Sequence, residues 1–379
     1  MSAAFKAAQY AHHKQEWARY IEERDVSLAE TERDLYDKAH EEEDSPFVRY
    51  TRIERHPEVS ALKDKLDTLE GLPKDSLLTL ARAMRPVVEK LMQLRTHLSQ
   101  REGADDYPDF ILALSGINEG TARELLEDVK VTHIDDALDI VREENIAWES
   151  YFDDLRRIEP FDEALDAEDV LRKVENALKT DLASRLTLHI SSAGIAGFAR
   201  TFSDASVHVH ARPLENPAAL KTFLHELSHA LLYIERASDS QDDFLIPQID
   251  EMAATVIEHC LIQIICTQTE PDAIEKVNAL EYSRLALSAL FELDLWDRVS
   301  APEAAFAGRY GELMPIEHPD YWTLDSFRSL DPFMVQYYAI GRRQAFDVLK
   351  TLEDVTDKSA FVLKLARTPE TTILPGVNA

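Results

Sequence analysis

Leu220-Lys221-Thr222-Phe223-Leu224-His225-Glu226-Leu227-Ser228-His229-Ala230-Leu231-Leu232-Tyr233-Ile234-Glu235 is the stretch whose reading decides this chain. It contains H-E-x-x-H, with apolar Phe223, Leu224, Ala230, Leu231 and Leu232 around it, the flanks of a buried helix. Residues four apart share one helix face, so both imidazoles can meet one cation with Glu226 beside them. Two neutral histidine nitrogens suit Zn²⁺, and Glu226 is then placed to orient and deprotonate a water rather than to bind the ion. With 13 His and 71 Asp+Glu in the chain, the pattern is expected by chance only about 0.08 times. Two satisfied histidines on a core helix is the competing explanation. The apolar flanks and a strand just upstream weigh against it.

A catalytic zinc takes three protein ligands and keeps a position for water, so a third donor is required. Glu251 is the expected one, 22 residues beyond His229 at the start of the helical run Ile249 to His259. Ala253 and Ala254 in that run are small enough for two helices to approach closely. Asp250, Glu258 and His259 are the rivals. Glu258 lies two turns after Glu251 on roughly the same face, where it could hold a ligand histidine as an acceptor or simply face solvent. His259 reads as structural.

Working outward, the short alternations Leu186-Thr187-Leu188-His189-Ile190 and Ser206-Val207-His208-Val209-His210 predict half-buried strands, with Gly194 and Gly197 at turns between them. Helical composition dominates elsewhere. It predicts helices over Ala3 to Asp37, Val59 to Leu69, Lys74 to Glu102, Tyr107 to Leu114, Glu119 to Asp128, Ile134 to Asn145 and Glu168 to Leu178. After Pro217 helix resumes, with breaks near Thr269 to Asp272, Gly308 to Asp320 and Leu330 to Pro332. Only 10 Gly in 379 residues agrees with few tight turns. His12 and His13 read as solvent-facing, and Glu41 to Pro46 as a solvated break. The expected organisation is a helical region over 1–180 and a catalytic region over 181–379, with its core at 186–265 and a helical C-terminal wall.

Composition excludes several classes. A net charge of -30 repels phosphate backbones and anionic lipid, so neither nucleic acid nor a membrane surface is an expected partner. There is no apolar run long enough for a membrane helix and no secretion signal at the N-terminus, so a cytoplasmic location is expected. Cys260 and Cys266, six apart on a predicted helix, face opposite ways and read as apolar filler rather than a disulfide.

Three segments in order then resemble the thimet oligopeptidase and oligoendopeptidase F family of zinc metallopeptidases. Gly194-Ile195-Ala196-Gly197-Phe198-Ala199 with Val207-His208-Val209-His210 is similar to its glycine-bearing stretch and active-site edge strand. Thr222-Phe223-Leu224-His225-Glu226-Leu227-Ser228-His229-Ala230-Leu231 is similar to its zinc helix, with Ser228 where Gly is usual. Asp250 to His259 is similar to its E-x-x-S-x-x-x-E helix, with Ala254 in place of Ser. The resemblance implies Glu251 as ligand and Glu258 as its supporting acid. More weakly, Ser283 to Asp297 and Trp322 to Gly341 resemble the family's C-terminal helices, which carry a His and tyrosines that bind the tetrahedral intermediate. Tyr337 and Tyr338 match the tyrosines; no His follows His318, and Arg328 or Ser326 stands in the approximate place of the missing one.

These readings combine into a mainly α zincin-like metallopeptidase, with a small β-sheet at the active site and helical walls around a cleft. One Zn²⁺ per chain is expected on His225, His229 and Glu251, with Glu226 as general base. Val207, His208, Val209 and His210 are expected to pair with the substrate backbone, Arg328 to contact substrate, and Tyr337 and Tyr338 to assist catalysis. The resemblance implies short peptides as substrates. The rival readings are a partner-specific metalloprotease of the ImmA/IrrE kind and a non-catalytic acidic binding protein; the acidity could also reflect a saline habitat.

Overall fold

The computed structural model describes residues 46–368 apart from 55, 72–76, 115, 193–196, 202–205, 237–246, 267–269, 298–300, 325–331 and 353–356. Expectations for Ala3 to Asp37, for Glu41 to Ser45, and for Gly194, Ser326 and Arg328 lie outside the described residues.

Two compact units divide the chain. The first takes in Met1–Glu124, Ser288–Glu312 and Ile316–Val335. Its helices are α1 (Pro46–Glu54), α2 (Pro57–Gly71), α3 (Leu77–Arg101), α4 (Tyr107–Leu114) and the first turns of α5 (Glu119–Glu144), followed by later segments of the chain. Its core holds a buried ion cluster. Arg95, fully buried, grips the Glu54 carboxylate through two hydrogen bonds of 2.8 and 2.7 Å. Tyr107 donates to the same carboxylate at 2.7 Å, and Lys63 lies 2.8 Å away. Burial alone would raise the Glu54 pKa, but Arg95 and Lys63 overcome it and hold it at about 2.

The second unit takes in Leu125–Leu287, Leu313–Pro315 and Gln336–Ala379. It contains the rest of α5, then α6 (Tyr151–Leu155), α7 (Ala167–Leu178), β1 (Leu186–Ile190), β2 (Gly197–Thr201), β3 (Val207–Ala211), α8 (Pro217–Arg236), α9 (Pro247–Ile265) and most of α10 (Glu270–Trp296). In the first unit α11 (Pro302–Tyr310) follows, and then α12 (Met334–Thr351) and α13 (Lys358–Arg367) complete the second. The described residues are thus mainly α with one small sheet. Among the described residues, no helix is long and apolar enough to cross a membrane.

Strand order is β1-β3-β2, with β3 parallel to β1 and antiparallel to β2. Val207, Val209 and Ala211 face the apolar core with Phe223, Leu224 and Leu227 of α8, whereas His208 and His210 point to the other face, as strand alternation requires. This corrects one expectation. Val207 to His210 belong to the central strand, whose backbone is paired on both sides, so they cannot offer an open edge to a substrate. The rings of His208 and His210 stack instead on His189 and Phe198.

Three further differences have local causes. Gly197 opens strand β2 rather than forming a turn. A side chain there would collide, since a Cβ would stand 2.7 Å from Thr222 Cγ2 and 3.0 Å from Glu226 Cγ. Helix α5 runs unbroken through Val129 to His133: the β-branched residues lower local helix propensity, but Val129 is buried and Thr132 Oγ1 donates back to Asp128 O at 2.7 Å. Gly308 lies inside α11, where nothing obstructs continued helix.

Candidate metal centre

Helix α8 starts under the cap of Asn216, whose Oδ1 accepts from the Ala219 N–H at 2.9 Å. Two turns on, His225 and His229 lie on one face, each about 6% exposed. Ser228, between them, is fully buried, and its hydroxyl donates to Leu224 O at 2.7 Å, so a hydroxyl is tolerated where glycine was the expected residue. Helix α9 packs along α8 with Ala253 and Ala254 completely buried, which brings Glu251 to the two histidines.

One donor atom from each of His225, His229 and Glu251 lies within 4.8 Å of the other two. The two Nε2 atoms are 3.2 Å apart, and Glu251 oxygens stand 3.2 Å from His225 Nε2 and 3.5 Å from His229 Nε2. Ligands about 2.1 Å from one ion at the tetrahedral angle are separated by about 3.4 Å, so this triangle has the size that Zn²⁺ requires. Glu251 Oε2 is buried beside His225 Nε2 but makes no well-directed hydrogen bond, a deficit that a cation between them would fill. Two imidazoles and a carboxylate are also the donor set of a catalytic zinc with an open position.

Carboxylates stand behind both rings. Glu258 Oε2 lies 2.9 Å from His225 Nδ1, and Asp250 Oδ2 lies 2.9 Å from His229 Nδ1. They fix each ring with Nε2 turned to the centre. Burial would lower both histidine pKa values, but the surrounding carboxylates outweigh it and raise them, His229 the more strongly. Glu251 is pushed the other way. Its burial is overridden by the two histidines, which hold its carboxyl well below the ordinary range.

Glu226 is half-buried beside this triangle and accepts from the backbone N–H of Ala199 in β2. Burial raises its pKa against the pull of His225 and His229. A carboxylate whose basicity is raised, next to a cation site and tied to a strand, is equipped to hold and move a proton.

Behind Glu258 the charges alternate. Lys221, one turn before His225 and 2% exposed, lies 4.0 Å from Glu258 Oε1 and donates to Glu281 Oε2 at 2.7 Å. Arg342 lies 2.9 Å from the other Glu281 oxygen. Burial would raise the pKa of both acids, yet Lys221 with His225 holds Glu258, and Lys221 with Arg342 holds Glu281, at about 2. Tyr282 offers its ring to both cations, at 5.7 and 5.3 Å.

The structure therefore brings His225, Glu226, His229, Glu251 and Glu258 together. Asp250, a rival ligand in the sequence, stands behind His229 instead. His259 is turned elsewhere, bonded to Thr255 O at 3.0 Å and packed edge-on against Phe346. Tyr337 is buried and Tyr338 half-buried on α12, one turn before Gly341, which touches α9 at Glu251. Sequence reasoning missed Lys221, Glu281, Arg342 and Tyr233. The Tyr233 ring stacks on His229 at 6.1 Å, and burial first, then Asp250, Glu226 and Glu251, raise its pKa far above normal. A lysine among the apolar residues of Leu220 to Leu224 was the one available signal.

No family model matches the sequence, and no curated protein matches it. Among solved structures, the chain superposes on PZ peptidase A solved with an inhibitor, at a TM-score of 0.60 and 14% identity over 85% of this chain and 65% of that one. It superposes on a putative peptidase from Chlamydophila abortus at 0.51 and 13%, over 76% of this chain and 56% of that one. For Trypanosoma cruzi metallocarboxypeptidase 1 the values are 0.53 and 12%, over 97% and 89%. This chain thus spans less than two thirds of the first two. The likeness shows that the chain shares the fold of these peptidases.

Proposed function

We propose that this protein is a zinc-dependent peptidase of the thimet oligopeptidase and oligoendopeptidase F type, hydrolysing bonds in short peptides. The observation that carries the reading is the triangle of His225 Nε2, His229 Nε2 and Glu251, of the size zinc requires, with Glu226 beside it. His225, His229 and Glu251 would hold the ion. When bound, zinc would polarise the scissile carbonyl and acidify the attacking water. Glu226 accepts the water's proton on its carboxylate and delivers it to the departing amine. Ala199 N–H holds that carboxylate in place. Asp250 and Glu258 keep the imidazoles aimed. Tyr337 and Tyr338 are assigned to the developing oxyanion, and the β2 strand, rather than β3, to the substrate backbone.

Coverage of nearly the full length of a metallocarboxypeptidase favours a second reading, release of single C-terminal residues. One experiment separates the two. The purified protein and Glu226→Gln are assayed for zinc content and incubated with a mixed library of short peptides, with products identified by mass spectrometry. We expect both proteins to hold one zinc and the variant to lose about 10²-fold to 10⁴-fold in rate. Internal cuts support the oligopeptidase reading, and stepwise loss of the last residue the carboxypeptidase one. Equal rates in the two proteins would overturn the role of Glu226.

A further inference from the structure

A cavity of about 480 Å³ opens in the second unit between α5, α9, α12 and α13, separate from the metal centre. That volume is in the range of small-molecule sites. One part of its wall is apolar, formed by Val129, Phe346, Leu349 and Leu352. The lining also carries charge, from Asp128, Arg343, Lys350 and Lys358, and the imidazoles of His133 and His259.

The cations are not equally matched. Arg343 bonds Asp128 and lies 2.8 Å from Asp347, and Lys350 is 3.7 Å from the same Asp347. Lys358 is different. Its ammonium bonds the side-chain oxygen of Gln263, and its field reaches the buried thiol of Cys260; both neighbours are uncharged. The preceding Asp357 is turned to its own helix, accepting from the Ala360 N–H at 2.9 Å. Lys358 is also the first residue of α13, where the positive end of the helix dipole disfavours a cation. In a chain with a net charge of -30, a lysine lining a cavity there, with no carboxylate in ion-pair range among the described residues, gains from an anion.

The imidazoles add hydrogen-bonding capacity. His133 Nε2 is buried without a partner, and its ring is wedged between Tyr282 and Phe346. His259 uses Nδ1 on Thr255 O, which leaves Nε2 for another group. An anionic head and an apolar body together match this wall, and the His133 ring that lines it reports on what fills it.

We propose that this cavity is a binding site for a small organic anion with an apolar body, its charge on Lys358 and its body against Phe346 and Leu349. The site is independent of the peptidase reading. It is tested on the purified full-length protein with 4-phenylbutyrate, its neutral amide and inorganic phosphate, followed by calorimetry and by the ring resonances of His133, assigned with His133→Gln. We expect saturable binding of the acid with a shift at His133. Both the amide and Lys358→Met should weaken it by about tenfold or more, the effect of losing one charge-assisted hydrogen bond. No shift at His133, equal binding of acid and amide, or phosphate binding as tightly as the acid would each overturn the proposal.

Discussion

A Cβ placed on Gly341 would stand 3.0 Å from Glu251 Cβ and 2.7 Å from the backbone oxygen of Gln248, so α12 rests directly against the turn that carries the candidate third ligand. The obstructing atom at 2.7 Å is backbone and cannot rotate away. Gly341→Ala is therefore expected to displace Glu251 and weaken zinc by roughly tenfold, at a stability cost of about 1–3 kcal/mol. Competition with a chromogenic chelator reads the first and thermal melting the second. Unchanged zinc affinity would show that the helices separate without moving the ligand.

The paired carboxylates behind the histidines make a symmetrical prediction. Asp250→Asn and Glu258→Gln should each lower zinc affinity roughly 10-fold to 100-fold while leaving the helices intact by circular dichroism. If only Glu258→Gln has an effect, Asp250 does not orient His229.

Gly197 tests the strand that supports Glu226. Gly197→Val puts atoms where Thr222 Cγ2 and Glu226 Cγ already are. Turnover should fall by about 10²-fold with zinc content unchanged, because the proposed general base moves and the candidate ligands do not. Loss of zinc and activity together would place Gly197 in the scaffold of the metal triangle instead.

Acid should act on the first unit through Glu54. Its folded pKa, about 2, lies below the ordinary 4.5, so its contribution is complete above pH 4.5 and disappears as pH falls toward 2. The full contribution is on the order of 3 kcal/mol. Glu54→Gln has no proton to gain. It should be less stable at neutral pH, with Arg95 left buried and unpaired, and should lose less stability between pH 4.5 and 2. Parallel acid-unfolding curves for the two proteins would contradict this.

What the sequence discloses follows the range of the interactions. The positions of His225, Glu226 and His229 are legible because helix periodicity alone sets them on one face. Glu251 is legible because a short helical run with small residues follows at a suitable distance. Asp250 and Glu258 could be named but not assigned, since their partners depend on how α9 is rotated against α8. Lys221 is conspicuous among apolar neighbours, but its pairing with Glu281 and Arg342 was not legible: the three lie on three helices, and no local pattern pairs a lysine with a glutamate 60 residues away. Strand β2 was missed because Gly197 carries the mark of a turn. Its glycine answers instead to Thr222 and Glu226 on a neighbouring helix, a demand that only the folded packing reveals.

All three candidate ligands and both carboxylates that aim them fall between His225 and Glu258, on helices consecutive along the chain. Two helices so near in sequence make their contacts at small chain separation, so the pair can form early and independently of pairings between distant segments. An ion captured at that stage would clamp α8 to α9 before the sheet and α12 are in place. Zinc would then act as a nucleus around which the second unit condenses, and its removal would slow refolding as well as silence chemistry.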